Sequence, residues 1–448
     1  MAYIREIEDP QATLAAAVGF ASTSTNLDQR DSACKYIGKL LENNCGATVE
    51  YVPTGGAPAI SATIPGTSTD TILFYGHYDV MDPGARTDWN SDPFQLTVRE
   101  GRLFGRGTGD NKGQLLAVIN GLNRFLVAHP DHQQTIQLLI EGEEEQGSVH
   151  LAATVQKLRD KQLCNVRQVV VVDGSMSASG DHVLRLANRG LFGIKLHITT
   201  ATHANHSGNA GNVLDNPVLI FQRILDHLYD PEDGQVLIPG FYTGVEEPTA
   251  SDWAAIDRLP FDAEQTERVF GGSLLTKDKR EYYRRLMFQP SFNVSGIESG
   301  YNGAGIKTII PGDLTASINM RLVGHQNPAN IAANLADVLA PFVAAGVLTY
   351  ESTGDIPPAT TKATPDEITV FQNAARRAGV QLLIEPCMPG TVPNYVWTDI
   401  LGVQTFTLPL ANFDQNNHSN NENITKAAFQ QGIDLIEALA TEYENNRS

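Results

Sequence analysis

TILFYGHYD at residues 71–79, TIQLLIEGEEE at 135–145 and QVVVVD at 168–173 are short β-rich apolar runs, each closing on imidazole or carboxylate side chains. Runs this uniformly apolar predict strands covered on both faces, as in a largely parallel sheet. Between the first two, Leu115, Val118, Ile119, Leu122 and Leu126 recur on one helical face. Strand, amphipathic helix and strand in that order make an α/β sheet with helices on both faces. Ligands in such sheets bind outside the carboxyl ends of the strands, so the three polar endings are expected to converge in one crevice.

Working outward, Phe429, Ile433, Ile436 and Leu439 repeat the helical signal near the end of the chain. From Arg189 the texture changes. A strand pattern (LFGIKLHITT, 191–200) is followed by a helix opened by Asn216-Pro217 and a long polar stretch rich in Asp, Glu and Pro. Pro at a first helical position gives up no hydrogen bond. A second strand-like run at 313–323 and a helix near 328–339 precede the break at Pro357-Pro358. The expected architecture is a mixed, mostly parallel α/β sheet domain from residues 1–188 and 357–448, interrupted by an inserted α+β lid or dimerisation domain at 189–356.

Bulk properties narrow the function. A chain of 448 residues, 42% hydrophobic, can bury the cores of two or three domains. Its net charge of −19, with no cluster of Lys and Arg, argues against nucleic acid. Cys34, Cys45, Cys164 and Cys387 form no C-x-x-C pair and no disulfide framework, which fits a reducing compartment. The N-terminus has no basic segment followed by an apolar one, and no run of about 18 apolar residues occurs, so a cytoplasmic protein without membrane association is expected.

Each strand ending has an ordinary explanation alone: His-x-Asp as a hydrogen-bonded pair, the Glu run as a solvated turn. Together they point to a cation, because four carboxylates closing an apolar strand would repel one another strongly without one. The glycine-rich stretch GRGTGDNKG (105–113) fits neither G-x-G-x-x-G nor the phosphate-binding loop that ends in Gly-Lys-Ser/Thr. It reads better as a tight turn aiming Asp110 into the same crevice. Neither a G-x-S-x-G elbow nor an H-E-x-x-H helix occurs.

HYDV (77–80), the W-x-x-D-P-F segment (89–94), GRGTGDNKG, EGEEEQGS (141–148), HSG (206–208), KTIIP (307–311), RLV (321–323) and HSNNE (418–422) together resemble the cocatalytic two-metal exopeptidases. That family includes carnosinase, the cytosolic non-specific dipeptidase, glutamate carboxypeptidase, aminoacylase and succinyl-diaminopimelate desuccinylase; the carnosinase-like dipeptidases are nearest. The resemblance implies that His77 and Asp173 bind one metal, Glu145 and His418 the other, and Asp110 bridges them. Mixed imidazole and carboxylate donors suit zinc or manganese, with cobalt able to substitute in vitro. Asp79 would accept the outer ring proton of His77, and Glu144 would be the general base.

The inserted domain is expected to supply the remaining contacts. His206 resembles the family histidine that reaches the partner subunit's site and stabilises the oxyanion, which implies a homodimer joined through that domain; His203 is its rival. Arg321 resembles the fork that pairs with a substrate carboxylate, and Thr308 and Thr391 resemble substrate-contacting hydroxyls. The carnosinase-like Gly-Gly-Ser stretch is replaced by Pro389-Gly390-Thr391, which stiffens the backbone before Thr391. The implied reaction is amide hydrolysis in dipeptides or small peptides with a free carboxylate. The alternatives are an N-acyl amino acid amidohydrolase and a non-catalytic metal or peptide binder; Glu144 counts against the binder, which needs no base.

Overall fold

The computed structural model describes residues 4–446. The three apolar runs fold as the strands Thr71–His77, Thr135–Glu141 and Val166–Val171, adjacent and parallel in the middle of an eight-stranded sheet. Their uniform apolarity has a simple cause. Ile72, Phe74, Ile136 and Leu138 face a core shared with the helices Lys112–Ala128 and Lys426–Asn445, while Leu73, Tyr75, Leu139 and Val169 face a second core built with the helix Leu151–Leu158 and Trp397. Neighbouring residues of a strand point to opposite faces, so a sheet covered twice is apolar at most positions.

The sheet is mixed. Thr48–Val52 and Ala59–Ile64 extend it on one side as antiparallel strands. On the other side Gln404–Thr407 runs parallel to Val166–Val171, and Leu382–Glu385 runs parallel to His182–Arg185.

A second sheet of four antiparallel strands has the order Ser291–Ser299, Asp313–Leu322, Gly190–Thr199, Leu348–Ile356. One face packs against the helices Pro217–Leu228 and Pro328–Ala344, burying Ile194, Leu196, Ile318, Met320, Ile224 and Leu335 in a core separate from those of the large sheet. Both helices open as the sequence predicts: the Asn216 side chain accepts from Val218 N, and that of Asn327 from Asn330 N, each with Pro at the start. The chain crosses between the sheets at two adjacent points, where Ala187–Asn188 pairs with Ala359–Thr360.

The polar stretch after the Pro217 helix holds more order than its composition suggests. It contains the helices Ala250–Ile256, Ala263–Phe270 and Lys279–Phe288, capped by Thr249, Asp262 and Asp278. Caps and ion pairs such as Arg280–Asp257 stand where an apolar stripe is missing: Ala263–Phe270 buries no residue.

Candidate active site

Parallel register sets His77 opposite Glu141 and Tyr75 opposite Val171, so His77, the Glu run and Asp173 leave the sheet at one edge. Asp110 arrives from the turn before the Lys112–Ala128 helix, and His418 from the loop before the last helix. These five residues meet. His77, Asp110 and Asp173 offer ligand atoms within 4.8 Å of one another, and so do Asp110, Glu145 and His418.

Asp110 is common to both groups, and its two oxygens divide between them. Oδ1 lies 3.2 Å from His77 Nε2, and Oδ2 lies 3.2 Å from His418 Nε2, which is also 3.1 Å from Glu145 Oε2. The donor sets, one imidazole and two carboxylates each with one carboxylate shared, suit a pair of divalent ions of the zinc or manganese type. Asp79 lies behind His77: its Oδ1 is 3.2 Å from His77 Nδ1. The same carboxylate accepts Glu144 N at 3.2 Å and Glu145 N at 3.1 Å, so one buried side chain orients the imidazole and holds the turn carrying both glutamates.

The Glu run divides, which corrects the expectation of four mutually repelling carboxylates. Glu141 turns into the protein and accepts from the Tyr75 hydroxyl and from Ser148 Oγ at 2.8 Å. Glu143 pairs with His150 Nδ1 at 2.7 Å. Glu144 and Glu145 alone face the cluster, half-buried; Glu144 Oε2 lies 3.8 Å from His77 Nε2.

Burial and close contacts shift the proton affinities of the clustered groups. Burial opposes charge on His77, yet hydrogen bonds to Asp110 and Asp79 hold its pKa well above the ordinary imidazole value. Hydrogen bonds to Asp110 and Glu145 push His418 up to about 10. Burial, with Asp110 nearby, pushes Asp173 up to about 6. Burial also lifts Glu144 well above the carboxylate range, helped by Asp173 and Asp110 against the counter-pull of His77. Asp110 moves the other way: burial would raise it, but its bonds to His418 and His77 hold it low.

The remaining candidates stand elsewhere. His206 and Thr308 are exposed neighbours on the short ladder of Asn205–His206 with Ile309–Ile310; Thr308 Oγ1 and His206 Nε2 lie 3.3 Å apart, and His206 Nδ1 accepts Gly208 N. Arg321, on the Asp313–Leu322 strand, donates to the Thr391 hydroxyl. Among the described residues, none of these hydrogen bonds reaches the metal-ligand cluster. His203 is exposed, its Nδ1 3.1 Å from Thr202 Oγ1.

Sequence reasoning missed the residues that hold the cluster together. Asn111 donates to Val172 O at 2.8 Å and Asp173 Oδ1 at 3.2 Å, and accepts from His77 N at 3.4 Å. Gln114 donates to Gly109 O at 2.8 Å and Gly174 O at 3.0 Å. Glu422 accepts from the backbone beside Asp110. Asn111 and Gln114 lie in or next to the glycine-rich stretch, but buried amides that serve distant backbone leave no periodic signal.

The profile of "Peptidase family M20/M25/M40" matches residues 73–442. The Beta-Ala-His dipeptidase of Homo sapiens is 30% identical over 383 residues, covering 83% of this chain and 74% of that protein. The Cys-Gly metallodipeptidase of Saccharomyces cerevisiae is 25% identical over 395 residues, covering 85% and 80%. Among solved structures, the M20 family metallo-carboxypeptidase Sso-CP2 from Sulfolobus solfataricus superimposes with a TM-score of 0.86 at 28% identity, over 98% of this chain and 100% of that one.

Proposed function

The chain belongs to peptidase family M20/M25/M40, and from that premise we propose that this metallopeptidase is a two-metal dipeptidase acting on small peptides with a free C-terminal carboxylate. The observation that carries the reading is the division of the Asp110 oxygens between two imidazoles, each with a further carboxylate in reach. His77 and Asp173 would hold one ion, Glu145 and His418 the other, and Asp110 both. Such ions, zinc or manganese, with cobalt as a substitute, would supply Lewis-acid chemistry at the scissile carbonyl and a water of lowered pKa.

The chain's own residues do the rest. Glu144 is the general base: among the described residues its carboxylate faces the cluster with only the long His77 contact, and burial raises its proton affinity, so it can take a proton from water and return it to the leaving nitrogen. Asp79 keeps the His77 Nε2 lone pair directed at the cluster by engaging Nδ1. Arg321 pairs with the substrate's carboxylate, and Thr391, its present partner, lines that contact. His206, with Thr308 beside it, donates to the oxyanion of the partner subunit's substrate. Their exposure supports that role, as do the exposed apolar side chains Val218, Leu219 and Ile297, which suit a homodimer formed through residues 189–356. Residues 1–188 with 357–448 then form the metal-binding domain.

A cytoplasmic location accords with four free cysteines, three of them buried; no helix among the described residues is long and apolar enough to cross a membrane. The net charge of −19 disfavours nucleic acid as a partner. A panel of unblocked dipeptides and N-acetyl amino acids, assayed on metal-reconstituted enzyme, tests the substrate class. Turnover of the dipeptides is expected; turnover confined to the N-acetyl compounds would make the protein an N-acyl amino acid amidohydrolase instead.

A further inference from the structure

The glycine-rich turn before Asp110 has the form of an anion nest, and the protein fills it from within. Gly105 N donates to the main-chain oxygen of Glu422 at 3.0 Å. Gly107 N lies 3.0 Å from both carboxylate oxygens of Glu422, and Gly109 N and Asp110 N donate to Oε1 at 2.8 and 2.9 Å. Arg106 Nη1 closes the ring on Oε2 at 2.7 Å. Successive N–H groups converging on one anion are the means by which such turns cradle phosphate; here the anion is a side chain. The glycines are required by space: Gly107 has φ +90°, and a Cβ on Gly109 would stand 1.9 Å from Gln415 Oε1.

Glu422 and Arg106 are both almost wholly buried. A buried ion pair is costly unless its remaining lone pairs and protons are satisfied, and the nest satisfies the carboxylate. What this ion pair joins is the pair of loops presenting the cluster. Glu422 lies four residues beyond His418 in a loop where His418 and Asn421 both adopt left-handed backbone, φ 58° and 56°. The backbone it grips ends on Asp110 itself. The carboxylate therefore sets the distance between the loop of His418 and the turn of Asp110, whose side chains approach to 3.2 Å.

We propose that Glu422 is a positioning residue of the metal centre: by filling the nest with its carboxylate it holds Asp110 and His418 at the separation that the shared site needs. This rests on the two-metal reading above. Partners that orient metal ligands typically change affinity or activity by about 10–100-fold when lost.

The test is a cobalt titration of apo full-length protein, followed by visible absorption. Wild type is expected to take up two equivalents. Glu422→Gln keeps the shape but not the charge. It is expected to bind the second equivalent about 10–100-fold more weakly, with altered d–d bands and a lower kcat at unchanged KM. Arg106→Lys, which keeps the cation and loses the fork, is expected to shift the same spectrum less, and it carries the test if Glu422→Gln does not fold. A wild-type cobalt spectrum and stoichiometry in the folded variants would overturn the proposal, whatever their turnover. A wild-type protein that binds no pair of cobalt ions overturns the two-metal reading itself.

Discussion

At the edge of the large sheet each candidate ligand faces another candidate ligand, whereas away from that edge the other candidates meet only in isolated pairs, Thr308 with His206 and Arg321 with Thr391. In the first region imidazoles and carboxylates of one chain lie within reach of common points. The second offers hydrogen-bond donors to something outside the chain. Burial divides them only in part: His77, Asp79 and Asp110 are buried, Asp173 and Glu145 half-buried, and His418 exposed like His206 and Thr308.

Mutations can break this contrast. The largest effect is expected from Glu144→Ala, which removes the base but no ligand: kcat should fall by about 10²–10⁴-fold, with both metals retained by elemental analysis. An apo protein from that variant would move Glu144 into the ligand set. His206→Ala should lower kcat by about 10²–10³-fold. Mixing it with Glu144→Ala subunits should restore part of the activity, because a mixed dimer holds one site with both residues intact; no recovery after subunit exchange would place His206 in its own chain's site. Arg321→Ala should act mainly on KM for unblocked dipeptides, by about 10–100-fold for a lost charge-assisted contact, and far less on a substrate amidated at its C-terminus. Equal losses on both substrates would remove Arg321 from carboxylate recognition.

A smaller effect concerns pH. His77, His418, Asp173 and Glu144 all have folded pKa values above their ordinary ones. Each therefore binds its proton more tightly folded than unfolded, and its contribution to stability is lost as pH rises through the folded value. The contribution of Asp173 should be lost as pH rises from its ordinary value of 3.8 to about 6, and that of His418 from 6.5 to about 10, each lowering the Tm of apo protein across its own window. Metal-loaded protein should lack that slope, and metal uptake at pH 7 should release protons, measurable by calorimetry in two buffers.

The same contrast governs what could be read from the sequence. TILFY and QVVVV announce their strands because a sheet covered on both faces is apolar at most positions, with buried Gln168 an exception. Thr48–Val52 is mostly exposed at the sheet's edge and carries no such mark. His77 and Asp173, with the Glu run, stood out in the sequence because they close those strands, whereas Asp110 and His418 stand on loops; the glycine-rich turn pointed to Asp110, and only the resemblance to His418. The division of the Glu run was not legible: Glu141 and Glu143 turn away because Tyr75, Ser148 and His150 stand where only the folded turn brings them. Glu422 closes the HSNNE motif, but its partners are backbone N–H groups more than 300 positions earlier in the chain, and backbone hydrogen bonding of that kind has no sequence signature. The helices at 250–288 were missed because caps and ion pairs hold them in place of a buried stripe.

The central claim is that Asp110 joins two metal sites, and its most direct test is metal stoichiometry in Asp110→Ala beside wild type, by calorimetric titration of apo protein with zinc or manganese. The account predicts two equivalents for wild type and weakened binding of both in the variant, since one side chain serves each. Two equivalents bound by the variant with wild-type affinities, or loss of one ion with the other undisturbed, would contradict it.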